Sequence, residues 1–277
     1  MHILKGYTKQ EISWMMYDWA NSAHSVIIVT LLPIFFDTVA GYTADSVSSM
    51  STWGYATSIA MLIVALAAPF LGVFGDIRGM RKKLFRFFML LGVAACAGMA
   101  FTPGMDFTSG PVAAGKVASL ILVLYIVSVI GFDASAIYYD AFLTDVTTED
   151  RMDKVSTMGY GLGYIGGSTI PLLIFLIMNL VGVPMLTCLA FVFGLTAVWW
   201  LAFSLPLLKN CEQTSGKPYE KGDVARSIKG VGTTIKEIIA NKPMLIYILS
   251  YFFYIDGVHT VISMATTYGT NLGLDST

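Results

Sequence analysis

Seven runs of about twenty predominantly apolar residues constrain this chain more than any other feature. They lie near residues 12–36, 52–74, 84–101, 117–139, 155–180, 185–208 and 244–268. A core helix of a soluble protein accounts for one such run but not for seven. Apolar residues make up 56% of the 277, and charged residues 13%, against about 25% charged in an ordinary soluble domain. In lipid every backbone polar group needs an internal partner, and a helix supplies it. The expectation is an all-α, multi-pass integral membrane protein with the bilayer as its first partner. A net charge of −1 gives no reason to expect nucleic acid. Of three cysteines, Cys96 and Cys188 fall inside apolar runs, which is no disulfide framework. The first run is long and carries Asp18 in its early turns, so no cleavable signal peptide is expected.

Most connections between runs are short and turn-forming, such as "TPGMDFTSGP" and "VGVP". Basic residues concentrate on one side of them. Sixteen of the seventeen lysines and arginines fall there, and only Lys116 falls on the other. The positive-inside rule makes that side, with the N-terminus, cytoplasmic. The expected organisation is a six-helix transmembrane bundle over 1–208, a lysine-rich cytoplasmic linker over 209–243, and a seventh span over 244–277. Within the linker, Val224, Ile228, Val231, Ile235, Ile238 and Ile239 recur at helical spacing with basic residues between them. That pattern predicts an amphipathic helix, either lying on the inner leaflet or serving a regulatory contact.

Polar residues inside the apolar runs point to function. Asp18, Asn21, Ser22 and Ser25 stand at i, i+3, i+4 and i+7, on one face of the first helix, with Tyr17 beside them. An ionised Asp at a helix centre costs about 2.5–3.5 kcal/mol on insertion scales. Such a stripe therefore lines a cavity or satisfies neighbouring helices. The seventh run repeats the register with Asp256, His259, Thr260 and Ser263. Two matching stripes suggest a chain of two related halves, the second starting near Met244, with a solute or ion site between them. The fourth run adds Asp133 and Asp140, seven residues apart; Asp133 is the deeper, and Asp140 stands at the interface or in the site. The predicted substrate or ion cavity comprises Tyr17, Asp18, Asn21, Ser22, Ser25, Asp133, Asp256, His259 and Thr260. No cofactor and no metal site are expected.

The fifth run contains "GYGLGYIGGS", in which Gly159, Gly163 and Gly167 form a small-residue row suited to close helix packing or to sliding between states. Between the second and third runs stands "GVFGDIRGMRKK", residues 72–83. It resembles the signature G-x-x-x-D-x-x-G-R-[RK] of the major facilitator superfamily through Gly72, Asp76, Gly79, Lys82 and Lys83, with Arg78 and Arg81 as further basic positions. A tight turn carrying an acid and several bases at the mouth of a bundle forms breakable ion pairs, so a cytoplasmic gate is expected there.

The segments "SWMMYDWANSAHS", "YYDAFLTDVTTEDRMDKVSTMGYGLGYIGG" and "SYFFYIDGVHTVISMATTYG" resemble signatures of the vacuolar effluxer family, whose fungal members are autophagy-related. The resemblance covers the chain in order. It implies the major facilitator fold of twelve helices in two bundles, alternating access and export of amino acids. On that pattern the chain, ending at Thr277, stops before helices eight to twelve. The implied membrane is the cell membrane in a bacterium or the vacuolar membrane in a fungus, and the implied state is a monomer. His24 stands where the family suggests an aromatic, Asp140 where it suggests Asn, and the fourth run lacks the membrane Arg of proton-coupled relatives. Proton coupling stays open.

The leading function is thus a secondary active transporter of a small-molecule substrate, with a lipid flippase on the same fold as the alternative. An enzyme is not expected. Intramembrane aspartyl proteases pair Tyr-Asp with Gly-x-Gly-Asp, and here "GLGY" places Tyr164 where the second carboxylate belongs.

Overall fold

The computed structural model describes residues 4–43, 49–216, 218 and 223–272. Nine α-helices are described: α1 Lys9–Ala40, α2 Ser49–Gly75, α3 Arg81–Met99, α4 Pro111–Val146, α5 Met152–Leu162, α6 Thr169–Leu180, α7 Met185–Asn210, α8 Asp223–Ala240 and α9 Lys242–Asn271. A π-helical turn, Gly163–Ser168, joins α5 to α6 into one span. Seven spans among the described residues are long and apolar enough to cross a membrane. The chain is an all-α, multi-pass membrane protein.

The seven expected runs coincide with these spans, but several helices outrun them. α4 has 36 residues and α1 has 32, where about 20 suffice to cross the hydrocarbon. Apolarity ends at the lipid boundary, whereas a helix continues until its backbone is capped. α1 begins at a capping box: the Glu11 amide donates to Thr8 Oγ1 (3.1 Å) and the Thr8 amide to Glu11 Oε2 (2.7 Å). α4 begins with Pro111 at its first position and stops where Thr147 turns extended.

α1 is the axis of the bundle. It packs against α2, α4, the α5–α6 span, α7 and α9, and its buried residues run from Glu11 to Val39. α3 packs between α4 and α7. α2 buries little beyond Trp53, Ala56, Thr57, Ala60 and Gly75 and turns Leu62, Leu66 and Phe70 outward. α9 lies along α1 and α2, while α8 rests on α2 and α9 with Ile235 and Ile239 exposed.

The glycine row of the fifth span explains how α1 is held. A Cβ at Gly159 would come within 2.6 Å of Asp18 Oδ2, and one at Gly163 within 2.6 Å of Ser22 Oγ. A Cβ at Gly167 would overlap the Trp19 carbonyl, and one at Gly166 the Trp19 ring. The row is therefore the surface on which the polar face of α1 seats. Replacing Gly167 by Val pushes two backbones apart. It should cost about 1–3 kcal/mol, as overpacking does, and show as a lower melting temperature in detergent. An unchanged melting temperature would mean that the α1 contact is loose.

Candidate functional site

The polar face of α1, seated on the glycines, opens into a cavity of about 460 Å³ inside the bundle. Its polar wall is Asp18, Asn21, Ser22, His24 and Ser25 from α1, Asp133 from α4, Ser168 from the π turn and His259 from α9. Tyr125, Phe132, Tyr160 and Tyr164 supply aromatic surface. The 3.6-residue period puts the α1 group on one side, and the π turn begins three residues after Tyr160, where α5 ends.

The two carboxylates are held differently. Asp18 Oδ2 accepts a hydrogen bond from Tyr139 (2.7 Å), whose ring stacks on Trp14 at 4.3 Å. Trp14 Nε1 in turn donates to the Tyr139 carbonyl (2.9 Å). Asp133 Oδ2 is closed off from solvent and has no hydrogen-bond partner among the described residues. His24 pairs through Nε2 with Ser128 Oγ (3.2 Å), stacks on Phe132 at 4.7 Å and leaves Nδ1 without a hydrogen-bond partner among the described residues.

Three of the residues expected on the wall stand elsewhere. Tyr17 is fully buried in the core: its hydroxyl meets Ser135 Oγ (2.7 Å) and its ring packs on Phe85 and Tyr139 at 4.8 Å. One residue along a helix turns the side chain by about 100°, which takes Tyr17 off the stripe that holds Asp18. α9 brings His259 and Ile262 to the cavity, while Asp256 and Thr260 are exposed and not on the wall. The side chain of Ser263 lies outside the described residues. Tyr139, Tyr160, Tyr164 and Ser168 are wall or support residues that a search for polar stripes passes over. An aromatic beside an in-membrane acid was the available signal.

A second polar cluster occupies the basic end of the bundle. Arg81, at the start of α3, is buried and forms an ion pair and hydrogen bond with Asp145 near the end of α4, whose side chain is also buried. Arg81 also donates to the Ala141 carbonyl (2.9 Å) and to Ser215 Oγ (3.2 Å). Asp76 stands 3.8 Å from Arg81 with an exposed side chain. The segment after α7 straps this loop down. Gln213 accepts from the Gly79 amide (2.8 Å) and donates to the Gly75 carbonyl (2.9 Å), and Asp145 Oδ1 accepts from the amides and hydroxyls of Thr214 and Ser215. Gly79 makes the turn with φ +81°, a conformation that favours glycine. Arg78 and Lys83 are exposed, Lys82 is half-buried, and a Cβ on Gly72 would meet nothing. The acid that answers Arg81 is thus chiefly Asp145. Sequence reasoning passed over it, together with Gln213–Ser215, because these partners lie about 60 to 130 residues away from the loop.

Nearby, Glu11 takes a two-pronged pair from Arg151, Nε to Oε1 and Nη2 to Oε2, both at 2.8 Å, and a further bond from Thr147 (2.7 Å). Both clusters fasten the end of α4, one to α3 and one to α1.

Two comparisons bear on this architecture. The family described as "Vacuole effluxer Atg22 like" matches residues 40–151 and 144–276. An uncharacterized MFS-type transporter of Bacillus subtilis, YxiO, is 40% identical over 282 residues, covering 99% of this chain and 63% of that protein. Autophagy-related protein 22-1 of Sclerotinia sclerotiorum is 26% identical over 131 residues, or 42% of this chain and 22% of its own length, and the Penicillium rubens protein of the same name is similar at 26% over 125 residues. The chain thus spans less than two thirds of the length of these curated relatives.

The clamp geometry separates its acids by energy. Removing one partner of a buried ion pair costs about 3–5 kcal/mol, because the other charge is stranded. An exposed pair is worth about 0–1 kcal/mol. Asp145→Asn and Arg81→Ala should therefore lower thermal stability in detergent strongly, and Asp76→Ala hardly at all. Equal losses from Asp76→Ala and Asp145→Asn would contradict the assignment of Asp145 as the principal partner.

Proposed function

The chain belongs to the vacuole effluxer Atg22-like family of major facilitator-type transporters, and from that membership we propose that it moves amino acids or similar small solutes outward by alternating access. The observation that supports this reading is the polar cavity built into an apolar bundle. Its wall collects Asp18, Asn21, Ser22, Ser25, Asp133 and His259 from three different helices. They border space large enough for a small solute, within the roughly 300–1,000 Å³ of ordinary ligand sites.

In this reading, 1–208 forms the N-terminal bundle, 209–243 a linker carrying α8, and 244–277 the entry to the second bundle. The basic end faces the cytoplasm in this reading, which the lysine and arginine asymmetry supports. The Arg81–Asp145 clamp and its Gln213–Ser215 strap then lie at the inner mouth. They hold one state closed through bonds that must break when the mouth opens.

Orientation is testable by labelling. The three native cysteines are buried, and burial pushes the Cys211 thiol up to about 12, so little of its reactive thiolate forms at neutral pH. A cysteine replacing exposed Ser109 should react with an impermeant maleimide on intact cells. One replacing exposed Lys229 should react only after the membrane is opened. The reverse pattern would overturn the orientation.

Transport is tested by counterflow. Proteoliposomes preloaded with leucine, lysine and glutamate should take up the radiolabelled form of at least one of them faster than protein-free vesicles. No uptake of any of the three above the empty vesicles would remove the support for amino-acid export.

A further inference from the structure

The cavity wall is chemically one-sided. Its ionisable side chains among the described residues are Asp18, Asp133, His24 and His259, with three tyrosines, and it contains no lysine and no arginine. His24 is buried, stacked on Phe132 and bonded to Ser128, which uses its ring as part of the wall. Asp18 already has a donor in Tyr139, so its carboxylate is partly answered. Asp133 has none among the described residues: its side chain lines the cavity, and Oδ2, itself closed off from solvent, has no hydrogen-bond partner there. A buried carboxylate oxygen left unsatisfied is costly to keep unless something else supplies the donor.

The rest of the cavity wall describes that donor. Phe132, Tyr160 and Tyr164 present aromatic surface to the same space, and Tyr160 and Tyr164 are tied to each other through their hydroxyls (3.1 Å). Aromatic faces attract a cation and are indifferent or adverse to an anion. An ammonium group offers up to three N–H donors to carboxylates and fits an aromatic face with its alkyl stem. A carboxylate entering the same space meets two like charges, with no lysine or arginine on this wall and only the His24 and His259 rings as basic groups.

Building on the transport reading above, we infer that this cavity selects solutes carrying net positive charge through an ammonium group, with Asp133 as its principal anchor and the Tyr160–Tyr164 pair as the aromatic flank. Asp18, held by Tyr139, supplies the second negative charge rather than the first contact. The apolar part of the solute lies toward Val26, Val29 and Met61, which complete the wall. The site thus ranks solutes of one shape by charge, cation before zwitterion before anion.

The charge series leucinamide, leucine and N-acetylleucine keeps one side chain and steps the net charge from +1 through 0 to −1. Binding of each to the purified full chain in detergent micelles, measured by isothermal calorimetry, tests the ranking without requiring transport. Leucinamide is expected to bind at least tenfold more tightly than leucine, and N-acetylleucine more weakly still. Asp133→Asn should erase the tenfold preference while Asp133→Glu keeps most of it, and a melting curve for each variant checks that it is folded. Equal affinities across the wild-type series, tighter binding of N-acetylleucine, or no binding of any of the three would each overturn the inference. The wild-type series stands even where a variant fails to fold. Counterflow reports separately on transport: uptake with no charge ranking sinks this inference alone, whereas ranked binding without uptake sinks the transport reading alone.

Discussion

The close seating of α1 on the glycines of the fifth span is the contact on which the rest of the bundle depends. α1 is the helix that touches nearly every other span, so its depth in the bundle fixes theirs. Where it meets Gly159, Gly163 and Gly167, its own polar residues lie against bare backbone. A larger residue in any of these places would displace Asp18, Trp19 or Ser22. Close approach also gives dispersion and short hydrogen bonds their value in a medium where lipid tails are as apolar as leucine. Trp199 Nε1 adds to this by donating to the Trp19 carbonyl (2.9 Å), which ties α7 to the same turn of α1.

The π turn follows from the same constraint. A residue inserted into a helix must shift the hydrogen-bond register, and here Thr169 Oγ1 donates to the Tyr164 carbonyl (2.8 Å) across the widened turn. Such turns concentrate at functional positions because they re-aim side chains that a regular helix would hold elsewhere. In this chain the turn itself carries Tyr164 and Ser168 on the cavity wall and Gly163, Gly166 and Gly167 against α1. Packing and site geometry are therefore set by one six-residue segment.

Much of this was legible in the sequence, and what was not has a common cause. Periodicity and length place the spans, since both are properties of local segments. The i, i+3, i+4, i+7 rule places Asp18, Asn21, Ser22 and Ser25 on one face, and the structure has all four on the wall. The same rule taken one residue further misplaces Tyr17, because membership in a stripe changes abruptly with 100° of rotation. Asp256 and His259 share a stripe in sequence, yet only His259 reaches the cavity. A stripe names a face; the rotation of the helix in the bundle decides which edge of that face is used. Asp145 and Gln213–Ser215 were not legible at all, and Tyr139 only as an aromatic beside an in-membrane acid. Their significance lies in partners far away in the chain, and a single sequence carries no record of such pairs.

The fourth helix draws the two clusters into one argument. It carries Tyr125 and Asp133 to the cavity, Tyr139 to Asp18, and Asp145 to Arg81, over a single unbroken helix. Asp133 and Asp145 are twelve residues apart, about 18 Å of rise. At the Asp145 end both carboxylate oxygens are answered, Oδ2 by Arg81 and Oδ1 by the amides and hydroxyls of Thr214 and Ser215. At the Asp133 end one carboxylate oxygen is left unanswered among the described residues. Folding alone would favour satisfying or removing both acids, since an unpartnered buried polar group works against stability. A chain that satisfies one so fully and leaves the other bare has placed its strongest polar bonds where the bundle must hold together. Its unmet bond lies where something else must enter, and sequences break local rules chiefly at such functional positions.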